Sequence, residues 1–244
     1  MSLPVISVGS EAGVPADKRG DGAVGDVVHH AEAQRHGGAG ALDVGHRLGL
    51  DRQIPIGAAV LTARLQGPTV HFSLDSYILR PSDPADALLG WLDQRLTTDG
   101  ATITGYRLKD AIALLDRLPG AEWSPALRAP AGCGQQYLLD LSASLHEEPL
   151  TLQEACVHSQ ILCAPVDPNR RFADWVRSDV SQIEQDAQVD AIAAFRLIIR
   201  RLAGVNPVGR SIAAAISSHF AEWLGEADYA ATRLHVADLL SAAD

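Results

Sequence analysis

The chain has 244 residues, enough for one large domain or one domain with appendages, and its 47% apolar and 20% charged content is that of an ordinary globular protein. A formal net charge of −10 argues against a broad basic surface for duplex nucleic acid, because phosphate neutralisation is the main source of such affinity. Three cysteines, no basic-then-apolar leader and no apolar run near ~20 residues point to a cytoplasmic protein without a membrane span.

Residues 1–40 read as an N-terminal extension. They hold eight of the 21 glycines and three of the nine histidines (His29, His30 and His36), with one short strand expected at Val5 to Val8. A polar loop explains those histidines better than a metal site. Regular patterns begin at residue 41. Ala41 to Val44 reads as a strand, Ile54 to Leu65 as a second, and Thr69 to Leu79 alternates as a third, after the Gln66-Gly67-Pro68 break.

A helix follows Pro84, with Ala87, Leu88, Trp91, Leu92 and Leu96 at helical spacing. Ala101 to Gly105 is a further strand, and Leu108 to Leu118 a helix stopped by Pro119-Gly120. Residues 121–136 are an irregular connection, and Tyr137 to Leu141 is a short apolar element. Thr151 and Glu154 have capping-box spacing for a helix to His158, and Asp167 to Arg170 reads as a turn. Asp179 to Ala203 is a long core helix, followed by two Ala- and Leu-rich helices at about 208–224 and 228–242. This order is an α/β pattern that opens with an antiparallel meander.

The long helix carries the most informative feature. Asp186 and Asp190 lie one turn apart, at the edge of the face formed with Ile183, Ala194 and Leu197. Like charges at that spacing repel, and an unpaired buried carboxylate is costly, so a cation, a proton or an arginine must offset them. Asp43 ends the first expected strand and Asp110 opens the helix after the fourth. Acids at strand ends and on a facing helix can converge, and phosphodiester hydrolysis uses two divalent ions about 4 Å apart on hard oxygen ligands.

The ordered set resembles the DEDD 3′-5′ exonuclease superfamily, most of all the bacterial branch related to the exonuclease domain of family B DNA polymerases. The segments that carry the resemblance are Leu42-Asp43-Val44-Gly45, then Gly105 to Leu114 around Asp110, then Asp186 to Ala191 with Ile183 before and Arg200 after. Tyr137 to Leu141 is similar to the family's Asp-Leu segment, and Leu150 to Ala155 to its Ser-Leu-x-x-Ala helix start. The match runs over residues 41–205 and leaves 206–244 as a C-terminal helical pair, which either packs on the domain or forms a homodimer contact.

The resemblance implies an RNase H-like fold: a mixed sheet that starts with an antiparallel meander, flanked by helices. It implies Mg²⁺ or Mn²⁺ held by Asp43, Asp110 and Asp190; Asp186, one turn from Asp190, is the candidate to replace the family's missing carboxylate at the catalytic centre. It implies hydrolysis at single-stranded DNA or RNA 3′ ends, with Tyr106 and Arg107 lining the strand groove. The chain departs from the family at two places: Gly45 stands where the first motif has glutamate, and Asp186 where the third has the tyrosine that orients water. A weak or inactive member is one expectation. A non-catalytic RNase H-fold binding or interaction module is the other.

Neither a zinc site nor a protease motif competes. Cys133, Cys156 and Cys163 have no closed-site spacing, and His146-Glu147-Glu148 lacks a second histidine.

Overall fold

A computed structural model describes residues 2–7, 55–97, 101–128, 137–142 and 150–241. The sheet is organised around a hairpin. Strand β2 (Gly57–Gln66) pairs antiparallel with β3 (Thr69–Ile78) along its whole length, from Gly57 opposite Ile78 to Gln66 opposite Thr69. Gly67 turns the chain at φ +61°, the positive φ that glycine supplies to a two-residue hairpin loop.

The strand before the hairpin is β1 (Ser2–Ser7), antiparallel to β2 and parallel to β4 (Thr102–Gly105). β5 (Tyr137–Asp140) adds in parallel to β4, and the order is β3-β2-β1-β4-β5. The short strand expected at Val5 to Val8 overlaps β1, which runs Ser2–Ser7 and is the central strand of the sheet. Residues 1–40 are not wholly an extension, because Ser2–Ser7 pairs with β2 on one edge and β4 on the other. The strand expected at Ala41 to Val44 lies outside the described residues, as do His29, His30 and His36.

β2 is buried on both faces from Gly57 to Ala63, so its side chains feed two cores. Ala58 and Val60 pack with Ile103 against α1 (Ala87–Leu96), α2 (Leu108–Leu115) and α3 (Pro125–Arg128). Ala59, Leu61 and Ala63 face the other way, toward α4 (Leu152–Ser159) and the 25-residue α6 (Ser181–Val205). Between Asp186 and Leu197 every residue of α6 is buried. The helix lies across β1, β2 and β3 and also touches α4, α5, α7 and α8. Its alanines at 187, 191, 193 and 194 permit that close approach on several sides.

One local reading changes. Asp167 to Arg170 is no simple turn. Asp167 accepts from the Arg170 N–H at 2.9 Å and, with Pro168 in the first turn, starts α5 (Pro168–Val176). The C-terminal helices α7 (Pro207–Glu226) and α8 (Ala230–Ser241) pack on α6, and α7 also on β3, which is the first of the two arrangements expected for them. Phe220 of α7 meets Phe195 of α6 at 4.9 Å and Phe72 of β3 at 5.2 Å between ring centroids. Gly209 makes the α6–α7 corner possible, since a Cβ there would stand 2.4 Å from the Leu202 carbonyl oxygen.

Candidate functional site

The cap at Asp167 sets the register of α5, and that register delivers two successive arginines to the acids of α6. Arg170 donates from Nη2 to Oδ2 of Asp186. Gln182, one turn earlier on α6, donates to the other oxygen of Asp186 at 3.0 Å. Both carboxylate oxygens of this buried residue are therefore engaged.

Asp190 is held differently. Its Oδ1 accepts from the Ala164 N–H at 2.9 Å. Burial pushes its pKa up to about 7; the Ala164 N–H and the Arg171 charge pull it down, and Asp186 pushes it up. Arg171 is itself buried, and its Nε has no hydrogen-bond partner among the described residues. The repulsion within the acid pair is thus met by an arginine at one member and, near neutrality, by a proton at the other.

The polar face of the same helix turns toward the sheet. Gln188 donates to Ser76 Oγ at 2.8 Å, and Ser76 donates to Glu184 Oε1 at 2.6 Å. These bonds fix α6 to the edge strand β3.

A second polar cluster forms where β4 and β5 end. Arg107 takes a left-handed φ of +48° just before α2, a conformation that costs a non-glycine residue on the order of 1 kcal/mol. The surrounding bonds hold it there. Asp140 at the end of β5 accepts from Leu108 N at 2.9 Å, and its other oxygen accepts from Ser142 N at 2.9 Å and Oγ at 2.6 Å. Ser142 Oγ in turn accepts from Arg107 N at 3.2 Å. Asp140 thus caps a helix 32 residues away in sequence, a role its strand-end position alone does not reveal.

Asp110 lies on α2, in the layer on the opposite face of the sheet from α6. Its half-exposed carboxylate pairs with Arg107 at 2.6 Å. Tyr106 does not line a groove. It is buried in the core shared with α4 and α6, because the strand alternation turns it inward, and burial pushes its hydroxyl up to about 12. Asp43 lies outside the described residues. Of the four candidate acids, then, Asp186 and Asp190 act on each other and Asp110 is engaged elsewhere. Among the described residues no group of three or more His, Cys, Asp or Glu side chains could hold a metal ion.

A third network seals the C-terminal helix. His235 of α8, fully buried, accepts at Nδ1 from Arg196 at 3.0 Å and donates from Nε2 to the Val189 carbonyl at 2.9 Å. Arg196 also pairs with Asp238 at 2.5 Å, and Asp238 accepts from Leu162 N at 3.2 Å. Burial pulls His235 down to about 4, so it is neutral. Residues Asp140, Arg170, Arg171 and His235 escaped the sequence reading. Only the Asp167-Pro168 cap signature could have announced the arginines.

Comparison with family models, curated proteins and solved structures finds no match. Among the described residues no helix is long and apolar enough to cross a membrane.

Proposed function

We propose that this chain is an RNase H-like domain of the 3′-5′ exonuclease kind whose helix acids have passed from metal binding to structural work. It acts as a non-catalytic binding or interaction module. The antiparallel meander followed by two parallel strands, with a long helix across them, supports the fold half of this reading.

The observation that carries the functional half is the engagement of Asp186 by Arg170 and Gln182. Mg²⁺ and Mn²⁺ take carboxylate oxygens with free lone pairs. Here one acid gives both oxygens to the protein. The other is half protonated near pH 7, with Arg171 acting on it. This donor set does not fit a divalent ion. The net charge of −10 also disfavours a phosphate backbone as the partner.

The test is a titration of the folded protein with Mn²⁺ by calorimetry, alongside a 3′-labelled single strand. The reading expects no binding below millimolar Mn²⁺ and no mononucleotide release. Tight binding of two ions, or release abolished by Asp190→Asn, overturns it. The catalytic reading has one observation in its favour: two acids a turn apart on the core helix, each acting on the other. It requires Arg170 to leave Asp186 when metal and a single-stranded 3′ end arrive.

A further inference from the structure

We infer that this chain forms a twofold-symmetric dimer in which the outer edge of β3 pairs with the same edge of a second copy. β3 ends the strand order, and among the described residues no strand pairs with its outer side. The edge is ten residues long. Natural sheets blunt such an edge with proline, inward-pointing charge or a bulge. β3 has no proline, and it pairs with β2 one residue for one, without a bulge. Its single acid is Asp75, which lies 3.5 Å from Arg95 of α1.

The hairpin decides which backbone groups the edge offers. Leu79 N–H donates to the Ile56 carbonyl at 2.6 Å, one step beyond the opposed Gly57 and Ile78. Hydrogen-bonded and non-bonded pairs alternate along an antiparallel ladder. The odd-numbered residues of β3 therefore turn their backbone groups to β2, and Val70, Phe72, Leu74 and Ser76 turn theirs outward.

Two copies share those groups in antiparallel registers that set even-numbered residues opposite one another. A twofold axis at Ser73 places Phe72 against the partner's Leu74. It also places His71 against the partner's Asp75, and Asp75 against the partner's His71. These two pairs fall on non-bonded positions, where opposed side chains come closest. His71 is exposed and the Asp75 side chain is 42% exposed. An imidazole N–H thus meets a carboxylate acceptor twice. An axis at Asp75 would set two carboxylates face to face, so side-chain charge selects the register at Ser73.

The layer beside this edge is apolar. Phe72 meets Trp223 of α7 at 5.7 Å between ring centroids. Ile212 lies within about 20° of Trp223 around α7, at about 100° per residue, and is 47% exposed. From Pro207 to Ala221 α7 carries no acid, although the net charge of the chain is −10. Two α7 helices then flank the axis on one face of the joined sheet, and over that stretch neither sets an acid against the other. Pairing through this edge does not depend on whether the α6 acids hold a metal.

Sedimentation of the full-length protein from low to high micromolar concentration should show the mass rising from 25.9 kDa to twice that value. His71→Asp sets acid against acid at both pairs and should weaken the dimer about tenfold or more. Position 71 is exposed, so the monomer keeps its fold, which circular dichroism checks. Adding Asp75→His exchanges the two residues and should restore the dimer. A chain monomeric at every concentration, a dimer indifferent to His71→Asp, or a loss that Asp75→His does not reverse would each overturn the inference.

Discussion

Arg170 lies on the carboxylate of Asp186, one helical turn from the buried Asp190. The α5 cap places this arginine 16 residues before its partner, and no feature of α6 itself requires it. Its removal should leave a buried carboxylate with one neutral donor, Gln182. Breaking a fully buried pair costs roughly 3–5 kcal/mol, and the side chain of Arg170 is 36% exposed, so about 2 kcal/mol is expected for Arg170→Ala. Urea unfolding measures this. Adding Asp186→Asn to Arg170→Ala should recover much of the loss, because the charge that needed a partner is gone.

Asp190 makes stability depend on pH. Its folded pKa of about 7 lies above the ordinary carboxylate value of 3.8, so the native state keeps a proton that the unfolded chain releases. The contribution is complete below about pH 4 and is lost as pH rises through about 7, with a slope of at most about 1.4 kcal/mol per pH unit. Asp190→Asn preserves an acceptor for Ala164 N–H and cannot titrate. It should flatten the curve between pH 5 and 7 and exceed the unaltered protein in stability at about pH 8, as urea midpoints at each pH will show.

His235 works in the opposite sense. Its pKa of about 4 is below the ordinary 6.5, so its contribution is present above about pH 6.5 and lost as pH falls through about 4. Substituting alanine leaves a cavity, an Arg196 Nη1–H without its imidazole acceptor and a Val189 carbonyl without its extra donor. We expect His235→Ala to cost about 3 kcal/mol. Hydrogen exchange should show α8 losing protection first, since the polar contacts of Asp238 with Arg196 and Leu162 N then hold the seam without the imidazole.

Phe220 tests whether the last two helices are part of the domain. It packs on Phe72, Phe195 and Trp223, which come from β3, α6 and α7. Phe220→Ala should lower stability by about 3–5 kcal/mol within a single cooperative transition. A separate early transition would instead mark α7 and α8 as an independent unit.

Asp140 holds the β4–α2 loop in its left-handed conformation. Asp140→Ala removes acceptors for Leu108 N and Ser142 and should cost about 1–2 kcal/mol. Arg107→Gly, which relieves the positive φ but loses the ion pair to Asp110, should be close to neutral in the same urea assay.

What the sequence determined by itself is the local structure. The Gln66-Gly67-Pro68 break and the Thr151–Glu154 capping box each rest on bonds within a few residues, and each stands where the pattern predicts. The cost of placing Asp186 and Asp190 beside a core face was equally legible, since helical geometry alone puts them there. What offset that cost was not. Arg170 reaches Asp186 only because α5 forms and docks, and β1 is central only because two distant strands accept it. His235 meets Arg196 across 39 residues, and Asp140 caps α2 across 32. Such pairings depend on which elements pack together. A periodic pattern encodes which face of an element is buried, and the choice between a metal ion, a proton and an arginine at one buried carboxylate is made only when the neighbouring element arrives.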